Sequence, residues 1–261
     1  MSARFRREDV GDGIMLLTID RADALNAIDT ATGEEMLQLF SRDLRRMEGL
    51  RCIVVTGAGD RAFCVGADLK ERKDFSEAAF RGQHVTFRQA FEAVWNFPLP
   101  ILAAVKGYAL GGGCELALAC DFIYAAEGAE FALPEIRLGI MPGAGGTQLL
   151  PRAIPERRAR ELLYTGRRFS ARQALEWGMV NRVLSAEDLL TATIDAAREI
   201  VLSGPLSVAG AKRAVTHGLQ AGLATGLALE VSIHQRLVAS ADRVEGIAAF
   251  NEKRPPVWRN D

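Results

Sequence analysis

Apolar residues recur in two rhythms along this chain. Ile14 to Ile19 and Cys52 to Thr56 are near-continuous apolar runs of strand length, which is how buried strands read. Between them Met36, Leu37, Phe40 and Leu44 follow helical spacing behind the cap candidates Asp29 and Thr30, giving a strand-helix-strand order. A longer helix is predicted from about Ser76 to Asn96, stopped by Pro98 and Pro100, then a strand at Ile101 to Val105. Glycines 107, 111, 112 and 113 separate that strand from an apolar helix at Cys114 to Cys120. Asp121 to Ala126 and Ala129 to Leu133 flank the turn residues Glu127 and Gly128, a pattern that can pair as two neighbouring strands before Pro134.

The mixed rhythm continues through the loop Gly139 to Gly146 and helices around Gly146 to Arg152 and Pro155 to Tyr164. A Ser170-capped helix ending at Gly178 and a strand at Met179 to Leu184 follow. From Ser185, whose spacing to Asp188 matches a capping box, only helices are predicted: about 186–202, Pro205 to His217, Gly222 to Ala239 and Val244 to Asn251. The chain therefore reads as an α/β core over residues 1–200 and a helical extension over 201–261. The extension's apolar faces need a partner surface, which a second subunit would supply. No repeat stands out at the residue level.

Composition narrows the function. With 261 residues and 49% hydrophobic content the chain can fill a sizeable core. Lys and Arg total 32 against 33 Asp and Glu, so there is no global attraction to nucleic acid or an anionic membrane. Met1 to Val10 carries three arginines and no apolar core, unlike a secretory signal, and a cytoplasmic location is expected. The long apolar stretch Pro100 to Ala126 is broken by Lys106, Glu115, Asp121 and glycines, which a lipid-facing span would not tolerate. Cysteines 52, 64, 114 and 120 lie in apolar segments without paired spacing, and histidines 84, 217 and 234 are scattered. Buried thiols and no metal centre are expected.

Several motifs fail on context. Gly57, Gly59 and Ala62 satisfy G-x-G-x-x-A after a strand, but Asp60 to Gly66 has no helical pattern, and a dinucleotide fingerprint needs a helix N-terminus there. A glycine turn is the expected structure. No phosphate loop, nucleophile elbow or H-E-x-x-H occurs. The basic cluster Arg152, Arg157, Arg158 and Arg160 is interleaved with Glu156 and Glu161, the pattern of a solvated helix face.

The run Gly107 to Glu115 places glycines before a helix whose composition marks it as buried. Glycines let a ligand approach bare N–H groups, and the helix N-terminus adds a partial positive charge at the same point, which suits a developing oxyanion. Glu115 follows Gly112 by three residues, one helical turn. Close helix packing for the glycines, and self-capping for Glu115, explain the spacing equally well. Glu135 follows Pro134 at the end of an apolar run and enters the glycine-rich loop. Two carboxylates near one oxyanion site are what proton transfer beside a carbonyl requires.

Ala62 to Lys70, Gly107 to Glu115, Pro134 to Gln148, Asn26 within Arg21-Ala-Asp-Ala-Leu-Asn, and the C-terminal Gly246 to Arg254 closely resemble the enoyl-CoA hydratase (crotonase) family. The resemblance spans essentially the whole chain. It implies a spiral of ββα repeats followed by helices that assemble trimers or dimers of trimers, with an acyl-CoA thioester as substrate and no separate cofactor. It implies that Ala67 and Gly112 donate the oxyanion-hole N–H groups, that Glu115 and Glu135 hold and activate a water, and that Gly143 helps orient it. Ala24 and Leu25 match the segment lining the adenine, Lys70 a cationic position near the nucleotide, and Lys253 a lysine reaching the phosphates from a neighbouring subunit. Asp68 and Leu69 complete the implied substrate-binding segment.

Both glutamates together favour hydration of a trans-2-enoyl-CoA over isomerisation, where one acid usually suffices. Ala67 to Arg72, Leu116 to Asp121 and Glu252 to Pro256 also resemble methylglutaconyl-CoA hydratases. His234 stands where many members of the family carry an aromatic residue over the acyl chain. RNA binding, known in that branch, lacks an electrostatic footprint, because Asp29 to Glu48 has no lysine and five acidic residues against three arginines.

Overall fold

The computed structural model describes residues 3–261. Its α/β core is built on two sheets. Strands β1 (Phe5–Asp9), β2 (Ile14–Ile19), β3 (Cys52–Gly57), β5 (Ile101–Val105), β7 (Phe122–Ala126) and β10 (Arg182–Leu184) form one sheet in the order β1-β2-β3-β5-β7-β10. Strands β4 (Ala62–Cys64), β6 (Tyr108–Leu110), β8 (Glu130–Ala132) and β9 (Phe169–Ser170) form the other. From β2 onward the larger sheet is parallel, with Leu16 beside Val54, Val54 beside Leu102, and Leu102 beside Phe122.

Parallel sheets are covered on both faces, and alternate side chains here serve separate cores. Met15, Leu17, Ile19, Ile53, Val55, Ile101, Ala103 and Val105 point into the main core between the sheets and helices. Ile14, Leu16, Cys52, Val54, Leu102 and Ala104 point the other way, onto helix α8 (Leu189–Val201). That is why these strands read as unbroken apolar runs instead of alternating ones.

The repeat invisible to residue comparison is geometric. In β3-β4, β5-β6 and β7-β8, the first strand joins the large sheet and the second joins the small one. Successive turns between them stack: Tyr108 N–H donates to Arg61 C=O at 3.1 Å, and Glu130 N–H to Gly107 C=O at 3.0 Å. Helix α3 (Glu77–Trp95) follows β4 and the short α2 (Leu69–Arg72), helix α4 (Gly112–Ala119) follows β6, and α5 (Gly146–Ala153) with α6 (Glu156–Thr165) follow β8. This is the ββα spiral expected from the resemblance.

One local expectation is corrected, and one strand went unread. The runs around Glu127 and Gly128 do become strands, but β7 and β8 do not pair with each other; each pairs within its own sheet. The arginine-rich start contains an edge strand, β1, antiparallel to β2, with only Phe5 buried. One buried side chain in five leaves no apolar run to read.

The Ser185–Asp188 signal is corrected: Ser185 Oγ accepts from Asp188 N–H, but α8 starts only at Leu189, with Asp188 as an N-cap whose side chain makes no cap bond. Three other cap signals hold. Asp29 accepts from Thr32 N–H ahead of α1 (Thr30–Gln38), and Ser76 from Ala79 N–H ahead of α3. Ser170 and Gln173 form a capping box ahead of α7 (Ala171–Trp177). The expected long first helix breaks after Gln38 into a π-turn, Leu39–Asp43, and a 3-10 turn, Leu44–Arg46. Past α8 lie α9 (Pro205–Gly218), α10 (Leu223–Val238) and α11 (Ala241–Glu252). Lys212 ties α9 to the core through Leu99 C=O and the Asp121 carboxylate. Leu219, Leu223 and Phe250 remain exposed at 81%, 79% and 84%.

Candidate active site

The Gly57 fingerprint leads into strand β4 and not into a helix, so the chain there crosses between sheets and continues to Val65-Gly66-Ala67. Ile28 N–H donates to Gly66 C=O at 2.7 Å and Asp68 N–H to Ile28 C=O at 2.9 Å. With its two neighbours bonded to Ile28, the intervening Ala67 N–H faces the opposite side, where α4 begins. A Cβ on Gly112 would lie 3.9 Å from Ala67 N. Among the described residues, no protein acceptor takes the N–H of Ala67 or of Gly112. Two free donors therefore converge beside the positive end of α4.

The glycines that made this run conspicuous serve separate ends. At Gly113 a Cβ would fall 1.9 Å from Cys64 C=O, so helix α4 and strand β4 meet only because no side chain intervenes. At Gly111, which has φ +54, a Cβ would stand 2.9 Å from Glu135 Oε1. Packing explains the first, and room for a carboxylate explains the second.

Glu115 is 3% exposed. Its Oε1 accepts from Ala144 N–H and Gly146 N–H, both at 2.8 Å. It does not cap its own helix; it binds the loop after Glu135. Burial pushes its carboxyl above the ordinary value, opposed by those two N–H groups and by nearby His84.

Glu135 sits in a 3-10 turn, Pro134–Leu138, with proline at the entry position that needs no N–H partner. Its Oε2 is buried without a hydrogen-bond partner among the described residues. Burial pushes its pKa up to about 7, and the charge of Glu115 adds to the rise. The cavity thus holds one carboxylate served by two donors and one poised to carry a proton at neutral pH.

Ala67, Gly112, Glu115, Glu135 and Gly143 all line one cavity of about 1210 Å³, ample for a small-molecule site. Gly143 C=O accepts from His84 Nε2 at 3.2 Å. Leu69 also lines this cavity, but Ala24, Leu25, Asp68, Lys70 and Lys253 do not. Asp68 instead caps α2 and pairs with Arg21 at 3.0 Å; burial raises its carboxyl, but Arg21 and the cap N–H groups bring it below the ordinary value. Ala24 and Leu25 form a tight turn held by buried Asn26, whose Nδ2 donates to Ala58 and Ala62 carbonyls. Lys70 is exposed on α2, and Lys253 ends α11.

Sequence reasoning missed the wall supplied by α2 and α3: Arg72, Phe80, His84, Phe87 and Phe91. The phenylalanines recur at helical spacing, a signal that reads equally as an ordinary core stripe. All four cysteines are buried and free, and burial pushes the thiols of Cys52 and Cys64 up to about 12.

Two unpaired N–H groups, two buried carboxylates with unlike hydrogen-bond supply and a large cavity fit an enzyme acting next to a polarised carbonyl. The family model described as "Enoyl-CoA hydratase/isomerase" matches residues 9–261, and the chain belongs to that family, whose enzymes act on acyl-CoA thioesters. It is 40% identical over 253 residues to an enoyl-CoA isomerase/hydratase of Mycosarcoma maydis, covering 94% of this chain and 92% of the relative. It is 36% identical over 261 residues to the mitochondrial methylglutaconyl-CoA hydratase of Mus musculus, covering 97% and 82%. The crystal structure of an enoyl-CoA hydratase from Bacillus anthracis superimposes with a TM-score of 0.97 at 40% identity, covering 99% of this chain and all of that one. No described helix is long and apolar enough to cross a membrane.

Proposed function

We propose that this enzyme hydrates trans-2-enoyl-CoA thioesters to 3-hydroxyacyl-CoA. The observation that carries the reading is the unlike pair Glu115 and Glu135 on one cavity beside two unpaired N–H groups. The thioester carbonyl accepts from Ala67 and Gly112 N–H, which drains electron density from C3 and stabilises the enolate oxygen. A water held between the carboxylates gives its proton to ionised Glu115 as its oxygen bonds to C3. Glu135, protonated, delivers its proton to C2. One proton transfer from Glu115 back to Glu135 then resets the site. The loop holding Glu115 also carries Gly143, whose N–H serves as the water's donor in this reading.

The reading includes no cofactor beyond the substrate's own coenzyme A: Ala24 and Leu25 line its adenine, Lys70 lies near the nucleotide, Lys253 reaches the phosphates of a neighbouring subunit's substrate, and Asp68 and Leu69 complete the substrate-binding segment. It also assigns α9 to α11, with their exposed leucines and Phe250, to a trimer or dimer of trimers, and places the enzyme in the cytoplasm. Hydration of 3-methylglutaconyl-CoA is the alternative supported by the mouse relative, and isomerisation by the fungal one. The test is loss of the conjugated enoyl-thioester absorbance with crotonyl-CoA and, in parallel, methylglutaconyl-CoA. Failure on both substrates, or full rate in Glu115→Gln and Glu135→Gln, sinks the hydratase reading.

A further inference from the structure

Arg72 is the feature of the cavity that hydration leaves unused. It closes α2, is half-buried, and lines the cavity that holds Glu115 and Glu135. Its guanidinium lies 4.7 Å from the ring centre of Phe80 and 5.5 Å from that of Phe87, and both rings line the same cavity. Its Nε donates to Gln83 Oε1 at 2.6 Å. Gln83 is itself 4% exposed and fixed by donating to Thr30 Oγ1 and Glu71 Oε2, each at 2.8 Å. The cation is thus stacked and oriented through one nitrogen, leaving its outer fork without a carboxylate among the described residues.

The neighbouring charges do not supply one. Glu71 is the near carboxylate, and it is engaged by Thr30 N–H and the Gln83 amide. The other arginines of the cavity wall are satisfied on the surface: Arg81 pairs with Glu77 and Arg88 with Glu92, and Arg152 bonds Gln148. His84 faces Gly143 C=O. Burial disfavours the Arg72 cation, a cost that a bound anion would offset.

Helix α3 supplies a ruler. Phe91 reaches the oxyanion glycine, since a Cβ on Gly112 would lie 3.7 Å from its ring. Phe87 and Phe80 stand roughly 6 Å and roughly 16 Å further along the helix axis, at about 1.5 Å per residue. The Arg72 guanidinium, in contact with both, lies in that interval. The residues implied to meet the nucleotide lie off this cavity, so the anion expected at Arg72 belongs to the acyl end of the substrate.

We infer that Arg72 is a specificity residue whose free guanidinium fork binds a carboxylate at the far end of a short acyl chain. The inference rests on reading the cavity as the acyl-CoA site, but not on hydration occurring there. The planar fork suits a carboxylate and disfavours an acyl group ending in a cation.

Titration calorimetry with two saturated, unreactive ligands tests this directly. Wild-type enzyme is expected to bind glutaryl-CoA at least about tenfold more tightly than pentanoyl-CoA, as a charge-assisted hydrogen-bonded pair predicts. Arg72→Gln should erase that ratio and Arg72→Lys should keep part of it. Ratios within one preparation are insensitive to the fraction of folded protein. Equal affinity of the wild type for both ligands overturns the inference, as does a ratio that survives in Arg72→Gln. So does an equal loss for both ligands and for free coenzyme A, which would place a coenzyme phosphate at Arg72. Retained discrimination without turnover of glutaconyl-CoA or 2-pentenoyl-CoA would sink only the hydratase reading.

Discussion

The two carboxylates of this cavity are set on opposite kinds of ground. Glu115 rises from α4, deep in the core, and its charge is met by the N–H groups of Ala144 and Gly146. Glu135 hangs in a short turn next to exposed Ile136 and Leu138, with one oxygen orphaned and its pKa pushed up to about 7 by burial. Burial pushes both carboxyls up, but at Glu115 two N–H groups oppose the rise, whereas at Glu135 one oxygen has no partner and the charge of Glu115 adds to it. The contrast teaches that hydrogen-bond supply, acting on top of burial and a neighbouring charge, can set two side chains of one type apart.

The strongest way to break the contrast is to neutralise each side. Glu115→Gln and Glu135→Gln should each lower kcat for crotonyl-CoA by about 100- to 10,000-fold, read as loss of enoyl-thioester absorbance. In wild type, kcat/KM should fall above about pH 7 as Glu135 loses the proton it donates. It should fall again on the acid side as Glu115 is neutralised, at a pH above the ordinary 4.5. Glu135→Gln should abolish the alkaline fall in whatever activity remains, and a persistent fall near pH 7 would assign that limb to another group.

Next in size is the packing under the site. Gly113→Ala places a methyl where Cys64 C=O already lies, and should cost at least about 3 kcal/mol in urea unfolding. A neutral result would mean that α4 is free to shift.

The orphan oxygen also predicts a stability effect. Below pH 4.5 Glu135 is protonated both folded and unfolded. Between 4.5 and about 7 only the unfolded chain ionises, and above that the buried anion's cost is fully present. Glu135→Gln should therefore stabilise by about 1–3 kcal/mol at pH 8 and by little at pH 4, compared by denaturant titration at both values. The smallest effect belongs to the surface: Arg160→Gln, which breaks an exposed i,i+4 pair with Glu156, should leave the urea unfolding midpoint indistinguishable from wild type.

How much of this was legible without coordinates depends on whether a residue's role is local. Asp29, Ser76 and Ser170 announced their helices because a cap acts over three residues. The strands β2, β3 and β5 were visible because both faces are buried. Strand β1 was not, since one buried residue in five leaves no periodicity. The spiral escaped for a similar reason: its repeat lies in which sheet a strand joins and in turn-to-turn bonds, such as Glu130 N–H to Gly107 C=O.

The site divides along the same line. Sequence by itself determined that Gly111 to Gly113 lead into a buried helix with Glu115 one turn on, because backbone bareness and helical spacing are properties of neighbours in the chain. Glu135 was legible as a second acid at the end of an apolar run; motif resemblance added Ala67 and gave Glu135 its implied role. Only the tertiary structure decided that Glu115 binds the 144–146 loop and not its own helix, that Glu135 keeps an unpartnered oxygen, and that Arg72 faces the same cavity. Each of these depends on desolvation and on partners far apart in the chain, which exist only once the chain has folded.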